Sequence, residues 1–180
     1  LFGHDVVFVR FAPGADPLFN GVASVSIPNT VFIRLDASRP HMAVLGHELM
    51  HSLRTNDPRL YRVLDQRLQK LYKAGAAGDY FAKIRAAYES KGKNVPRDWD
   101  EEMNADIVGD HFMDPGFWQA LAAQGEPGQF RILVSAILKF IDRLRGLMTG
   151  SRPFGTDAYL SDLDAARAAA QAVAAEPLEL

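Results

Sequence analysis

The chain has 180 residues, 48% of them hydrophobic and 23% charged, with a formal net charge of −2 and no cysteine. That length fits one domain, 1–180, built on one substantial core, and the near-neutral charge argues against nucleic acid or an anionic membrane as the partner. Without cysteine there is neither a disulfide framework nor a thiolate metal site, and a cytoplasmic setting is the expectation.

The first segments read as strands. Asp5 to Phe11 is β-branched and aromatic and too short for a helix. Gly21 to Ile27 and Thr30 to Asp36 flank Pro28-Asn29, which predicts a hairpin. A small sheet over 1–36 is therefore expected. His4 and His41 lie near it and are read as surface histidines. The start, Leu-Phe-Gly-His, has no methionine and no signal-like stretch, which suggests a piece of a longer protein.

From residue 38 to about 175 the pattern is helical. Pro40 suits a first helical turn, and Leu45, Leu49 and Leu53 supply an apolar stripe. Inside this helix stands His47-Glu48-Leu49-Met50-His51. Positions 47 and 51 are about 40° apart round the helix and roughly 6 Å apart along it. Their imidazoles can therefore close on one zinc ion, as H-E-x-x-H metallopeptidases require. Glu48 is rotated about 100° from His47, so it flanks the ion and can take a proton from the attacking water. Two solvated histidines on a surface helix are the plain alternative.

Asp57-Pro58 opens a second helix, with Leu60, Leu64, Leu68 and Leu71 in register. Asp79 opens a third, carrying Phe81, Ile84 and Tyr88, and Gly92 stops it. The stretch 98–109 follows, containing Glu102-x-x-Ala105-Asp106-x-x-Gly109. Catalytic zinc takes three protein ligands and keeps an open position, so two histidines leave the set one short. Glu102 supplies the third, and Asp106, one turn on along the same face, orients a ligand histidine through its other ring nitrogen. Asp98 reads as an N-cap with Glu101 at the third helical position, a capping pair that assigns Glu101 a structural task. An acidic first turn, favoured by the helix dipole, accounts for Asp98, Asp100 and Glu101 but not for Asp106. His111 falls about 180° round from Glu102 and is read as structural.

Asp114-Pro115 begins a short helix, and Glu126-Pro127-Gly128 leads into a long one. Its stripe of Phe130, Leu133, Val134, Ile137, Leu138, Ile141, Leu144 and Met148 is read as core, and its basic residues as a solvated face. The longest apolar run, Ile132 to Leu138, stops at Lys139, far short of the ~20 residues that a membrane span needs. Residues 150–155 read as a loop, and Ser161 with Asp164 as the cap of an alanine-rich last helix.

H-E-x-x-H followed some fifty residues later by E-x-x-A-D-x-x-G resembles the gluzincins, zinc metallopeptidases with a glutamate as third ligand. The likeness is to the group of CAAX prenyl proteases and membrane stress proteases, and Asp114-Pro115-Gly116-Phe117-Trp118-Gln119-Ala120-Leu121 is similar to a helix start of that group. It covers about residues 40–122. It implies zinc on His47, His51 and Glu102, Glu48 as general base, Asp106 behind a ligand, and an α+β zincin-like fold with a small N-terminal sheet. It also implies an edge strand, here Thr30 to Leu35, to which an extended substrate adds. The chain departs from the group in lacking a membrane span and in having Ser151-Arg152-Pro153 where a Thr-His-Pro-like turn is usual. It is thus similar to a soluble, minimal relative, such as a peptidase domain of a phage polyprotein.

The expected function is a zinc-dependent peptidase, an endopeptidase rather than an exopeptidase, acting on a peptide or protein. Arg152 and Tyr159 are candidate donors to the oxyanion of the tetrahedral intermediate. Two rivals stand beside it: a non-catalytic interaction module on a zincin scaffold, and a regulatory peptidase dedicated to one partner. Glu48 argues against the first, because a structural zinc site has no use for a base between its histidines.

Overall fold

The computed structural model describes residues 5–9, 21–23, 30–34, 41–73, 82, 85–86, 89–90, 99–151 and 156–174. Short backbone strands come first: β1 (Asp5–Val9), β2 (Gly21–Ala23) and β3 (Thr30–Arg34), in spatial order β1-β3-β2. β1 runs parallel to β3, with Val7 opposite Phe32, and β2 runs antiparallel to it, with Val22 opposite Phe32. Helices follow: α1 (His41–Asn56), α2 (Pro58–Leu68), α3 (Trp99–Asp110), α4 (Pro115–Ala122), α5 (Pro127–Ser151) and α6 (Thr156–Ala174). A π-helical stretch, Gln69–Lys73, extends α2.

The α+β class expected from the sequence is corrected by this arrangement: the described protein is mostly helical. The described core is built from side chains of the helices and of the α3–α4 turn. Fold class follows which layers bury their apolar faces against each other, and here helix packs on helix. A run such as Asp5 to Val9 has strand composition, but composition does not say whether the strand joins the core. The expected substrate-binding edge is corrected too. β3 is paired on both sides, by β1 and by β2, so it has no free edge for an added strand.

α1 is the central helix. Met42, Val44, Leu45, Leu49, Met50 and Leu53 are all buried, so apolar contacts surround most of its circumference. α2 starts where the sequence says it should: the Asp57 side chain accepts from the Leu60 backbone N–H at 3.2 Å, and Pro58 occupies the first turn. Leu60, Leu64 and Leu68 face the core. Asp114 caps α4 by accepting from the Gly116 N–H at 2.8 Å. On α4, Trp118 is buried and donates its indole N–H to the Phe112 carbonyl at 3.0 Å, which ties the α3–α4 turn to α4. The long stripe on α5 is core through Phe130, Leu133, Val134, Ile137, Ile141 and Leu144.

The last helix differs from its expected start. α6 begins at Thr156, so Ser161 is a solvent-facing interior residue and not a cap, and Asp164 accepts from Arg145 Nε at 2.8 Å. The pattern Ser-x-x-Asp fits a helix start, but its two exposed polar residues fit an outward face equally well. The expected helix around Phe81 to Tyr88 falls mostly outside the described residues, as does Asp98. Among the described residues no helix is long and apolar enough to cross a membrane.

Candidate metal centre

The site forms where α1 crosses α3, and two glycines set how closely they cross. A Cβ on Gly46 would sit 3.0 Å from the Gly109 Cα and 3.0 Å from the Phe112 ring. A Cβ on Gly109 would run into the Ala43 carbonyl oxygen. Backbone therefore meets backbone at this crossing, and short carboxylate side chains on α3 can reach imidazoles on α1.

Five contacts define the geometry. Asp106 Oδ1 lies 3.0 Å from His47 Nδ1, and Glu101 Oε1 lies 2.9 Å from His51 Nδ1. The remaining ring nitrogens face each other, His47 Nε2 and His51 Nε2 being 3.1 Å apart. Glu102 closes the triangle, one oxygen 3.7 Å from His47 Nε2 and the other 3.6 Å from His51 Nε2. His47, His51 and Glu102 each offer a ligand atom, all within 4.8 Å of one another. This is the cluster read from the two motifs, and it can hold a metal ion.

The donor set fits a divalent cation on chemical grounds. A carboxylate on each Nδ1 makes that nitrogen the N–H donor and leaves each Nε2 as an acceptor lone pair. Two such lone pairs 3.1 Å apart, with a carboxylate beside them, repel one another unless a proton or a cation lies between. A tetrahedral ion with bonds of about 2.0–2.1 Å needs ligand atoms about 3.3–3.4 Å apart. The two Nε2 atoms are 3.1 Å apart, close to that spacing, and each has a Glu102 oxygen within 3.7 Å.

The electrostatics point the same way. Burial alone would lower the His47 pKa, but the Asp106 hydrogen bond and the charges of Glu48, Asp106 and Glu102 outweigh it, leaving it above 6.5. His51 goes the other way: burial, then the neighbouring His47, hold it below 6.5 against the pull of Glu102 and Glu48. The pair thus does not take two protons readily.

Glu48 is only 6% exposed. Its charge acts on both imidazoles, and it is not among the three residues whose ligand atoms converge.

The other expected residues fall as follows. Tyr159 is buried on α6 with its ring 4.5 Å from that of His41, at the start of α1, and burial together with the Asp162 charge pushes its hydroxyl pKa up. His41 and His47 are about 120° apart round α1, so Tyr159 packs on a different face from the ligands. Arg152 lies outside the described residues. His111 stacks on Phe117 at 5.3 Å, in keeping with a structural role.

The sequence reading missed one contact. Glu101 is buried, and its carboxylate bonds His51 on one side and pairs with Arg54 on the other, in place of a capping task alone. Searches of protein families, of curated proteins and of solved structures gave no match to this chain.

Proposed function

We propose that this chain is a zinc-dependent peptidase, more specifically an endopeptidase, that hydrolyses peptide bonds with Glu48 as general base. The observation that carries the reading is the pairing of a buried Glu48 with a three-ligand cluster, two members of which share its helix. A structural metal site gains nothing from a carboxylate buried beside it. A hydrolytic site needs one, because the attacking water must lose a proton as it adds to the carbonyl.

His47 and His51 bind through Nε2 and Glu102 through a carboxylate oxygen, while Asp106 holds the His47 ring by its Nδ1. Zinc bound there would polarise the scissile carbonyl and acidify the attacking water. A Glu48 carboxylate oxygen accepts one proton of that water as its oxygen bonds to the carbonyl carbon. The same oxygen then delivers the proton to the amide nitrogen as the C–N bond breaks, so no net proton stays on the enzyme. The choice of zinc rests on the His2Glu donor set with an open position, the set of thermolysin-like catalytic sites.

The test is digestion of a peptide library by parent protein and by Glu48→Gln. The parent is expected to cleave internal bonds, and the variant to keep its metal while turnover falls by several orders of magnitude. Equal turnover in both would remove Glu48 as the base. A metal-loaded parent that cleaves nothing would favour the non-catalytic module.

A further inference from the structure

We infer that Glu101 and Arg54 form a positioning pair for His51, fixing which ring nitrogen faces the metal and keeping Glu101 from displacing Glu102 as the ligand. The inference rests on His51 being a metal ligand and deepens the reading of that site.

Glu101 and Glu102 are adjacent carboxylates at the start of α3, and the cluster has one place for a carboxylate. Their side chains leave the helix about 100° apart. Glu102 points at both Nε2 atoms and is 39% exposed, whereas the Glu101 side chain is 10% exposed and lies behind His51. One Glu101 oxygen takes the His51 Nδ1 proton at 2.9 Å, and the other pairs with the Arg54 guanidinium. His51 and Arg54 are both on α1, so a single helix supplies the two donors that fix the carboxylate from either side.

Each partner has a distinct part. Glu101 holds the proton on Nδ1, which directs the Nε2 lone pair at the ion. Arg54 supplies the only guanidinium that the described contacts bring to these carboxylates. It pairs with this buried carboxylate and stops it from swinging to the front of the imidazole. Asp106 does the corresponding work for His47, but its side chain is 31% exposed and needs less compensation.

The experiment measures zinc affinity by chelator competition and the visible absorption of the Co2+-loaded protein, on parent, Glu101→Gln, Arg54→Met and Arg54→Lys. Melting of the metal-free proteins is recorded alongside. Glu101→Gln and Arg54→Met should each weaken zinc binding ~10–100-fold and alter the Co2+ spectrum. Arg54 is half exposed, so losing its solvent-screened charge adds little attraction for the cation to offset the lost orientation. Arg54→Lys should recover most of the affinity. A purely structural role would lower the melting temperature and leave the zinc affinity and Co2+ spectrum of the folded variants at the parent's values, which would overturn the inference. Equal losses for Arg54→Lys and Arg54→Met would overturn the part assigned to charge. If the parent binds no zinc, the metal centre fails and this inference with it; a zinc-binding parent with unaffected variants refutes the inference alone.

Discussion

His47 and His51 share a position on one helical face, yet their surroundings push their proton affinities apart. His47 is raised because three carboxylates act on it, and His51 is lowered because His47 stands beside it in a buried place. Protons and metal compete for the same Nε2 atoms. With His47 titrating above 6.5, competition begins above that pH, so zinc affinity should be flat at higher pH and fall as the pH drops through and below 6.5. Isothermal titration at a series of pH values checks this; an affinity independent of pH between 7 and about 5 would contradict it. At the same scale, His47→Ala or His51→Ala should abolish tight metal binding, because each removes one of three ligands. The cluster of His47, His51 and Glu102 and the Asp106 contact to His47 were legible in the sequence because 47 and 51, and 102 and 106, lie one helical turn apart. Glu101 was not, because its partner His51 is 50 residues away and nothing local announces the contact.

The element that decides the site is the α1–α3 crossing. Gly46 and Gly109 let the helices touch, and a Cβ at Gly109 has no room against the Ala43 carbonyl. Gly109→Ala should therefore push the helices apart, with a cost of about 1–3 kcal/mol by overpacking. Because the carboxylates of α3 then move away from the imidazoles, zinc affinity should fall as well. Denaturant melts paired with zinc titration test this, and a variant with parent stability and parent affinity would show that the crossing tolerates a side chain. α2 is a control at the same scale. Asp57→Ala removes a cap that is remote from the ligands and should cost about 1 kcal/mol without changing zinc affinity. The caps at Asp57 and Asp114 were readable because a cap needs only a side chain and an N–H two or three residues on. The Ser161 pattern misled for the same reason: local grammar cannot tell a helix start from an exposed face.

For the whole molecule, the described core is helical. The strand-like runs were recognisable from β-branched composition, but whether they form a layer depends on long-range packing that alternation does not encode. Helix stripes are more informative, since Leu60, Leu64 and Leu68 or the α5 series must bury somewhere, and they did. Arg67 joins distant parts of this core: its guanidinium donates to the carbonyls of Leu121 at 2.7 Å and Ala122 at 2.8 Å and lies 4.5 Å from the centre of the Phe130 ring. Arg67→Met should remove the guanidinium donor from both carbonyls, the Leu121 oxygen keeping the Gln124 N–H at 3.1 Å, and cost about 1–3 kcal/mol, seen as a lower melting temperature with and without zinc alike. A melting temperature equal to the parent's would refute that assignment.

The claim on which the rest depends is that His47, His51 and Glu102 hold one divalent ion. Elemental analysis of protein purified without chelator tests it most directly, on the parent and on Glu102→Ala side by side. The account predicts about one zinc per chain in the parent and a severe loss in Glu102→Ala, since an anionic ligand has gone from a three-ligand set. A parent without bound metal, or a Glu102→Ala variant that keeps its full equivalent, would contradict it.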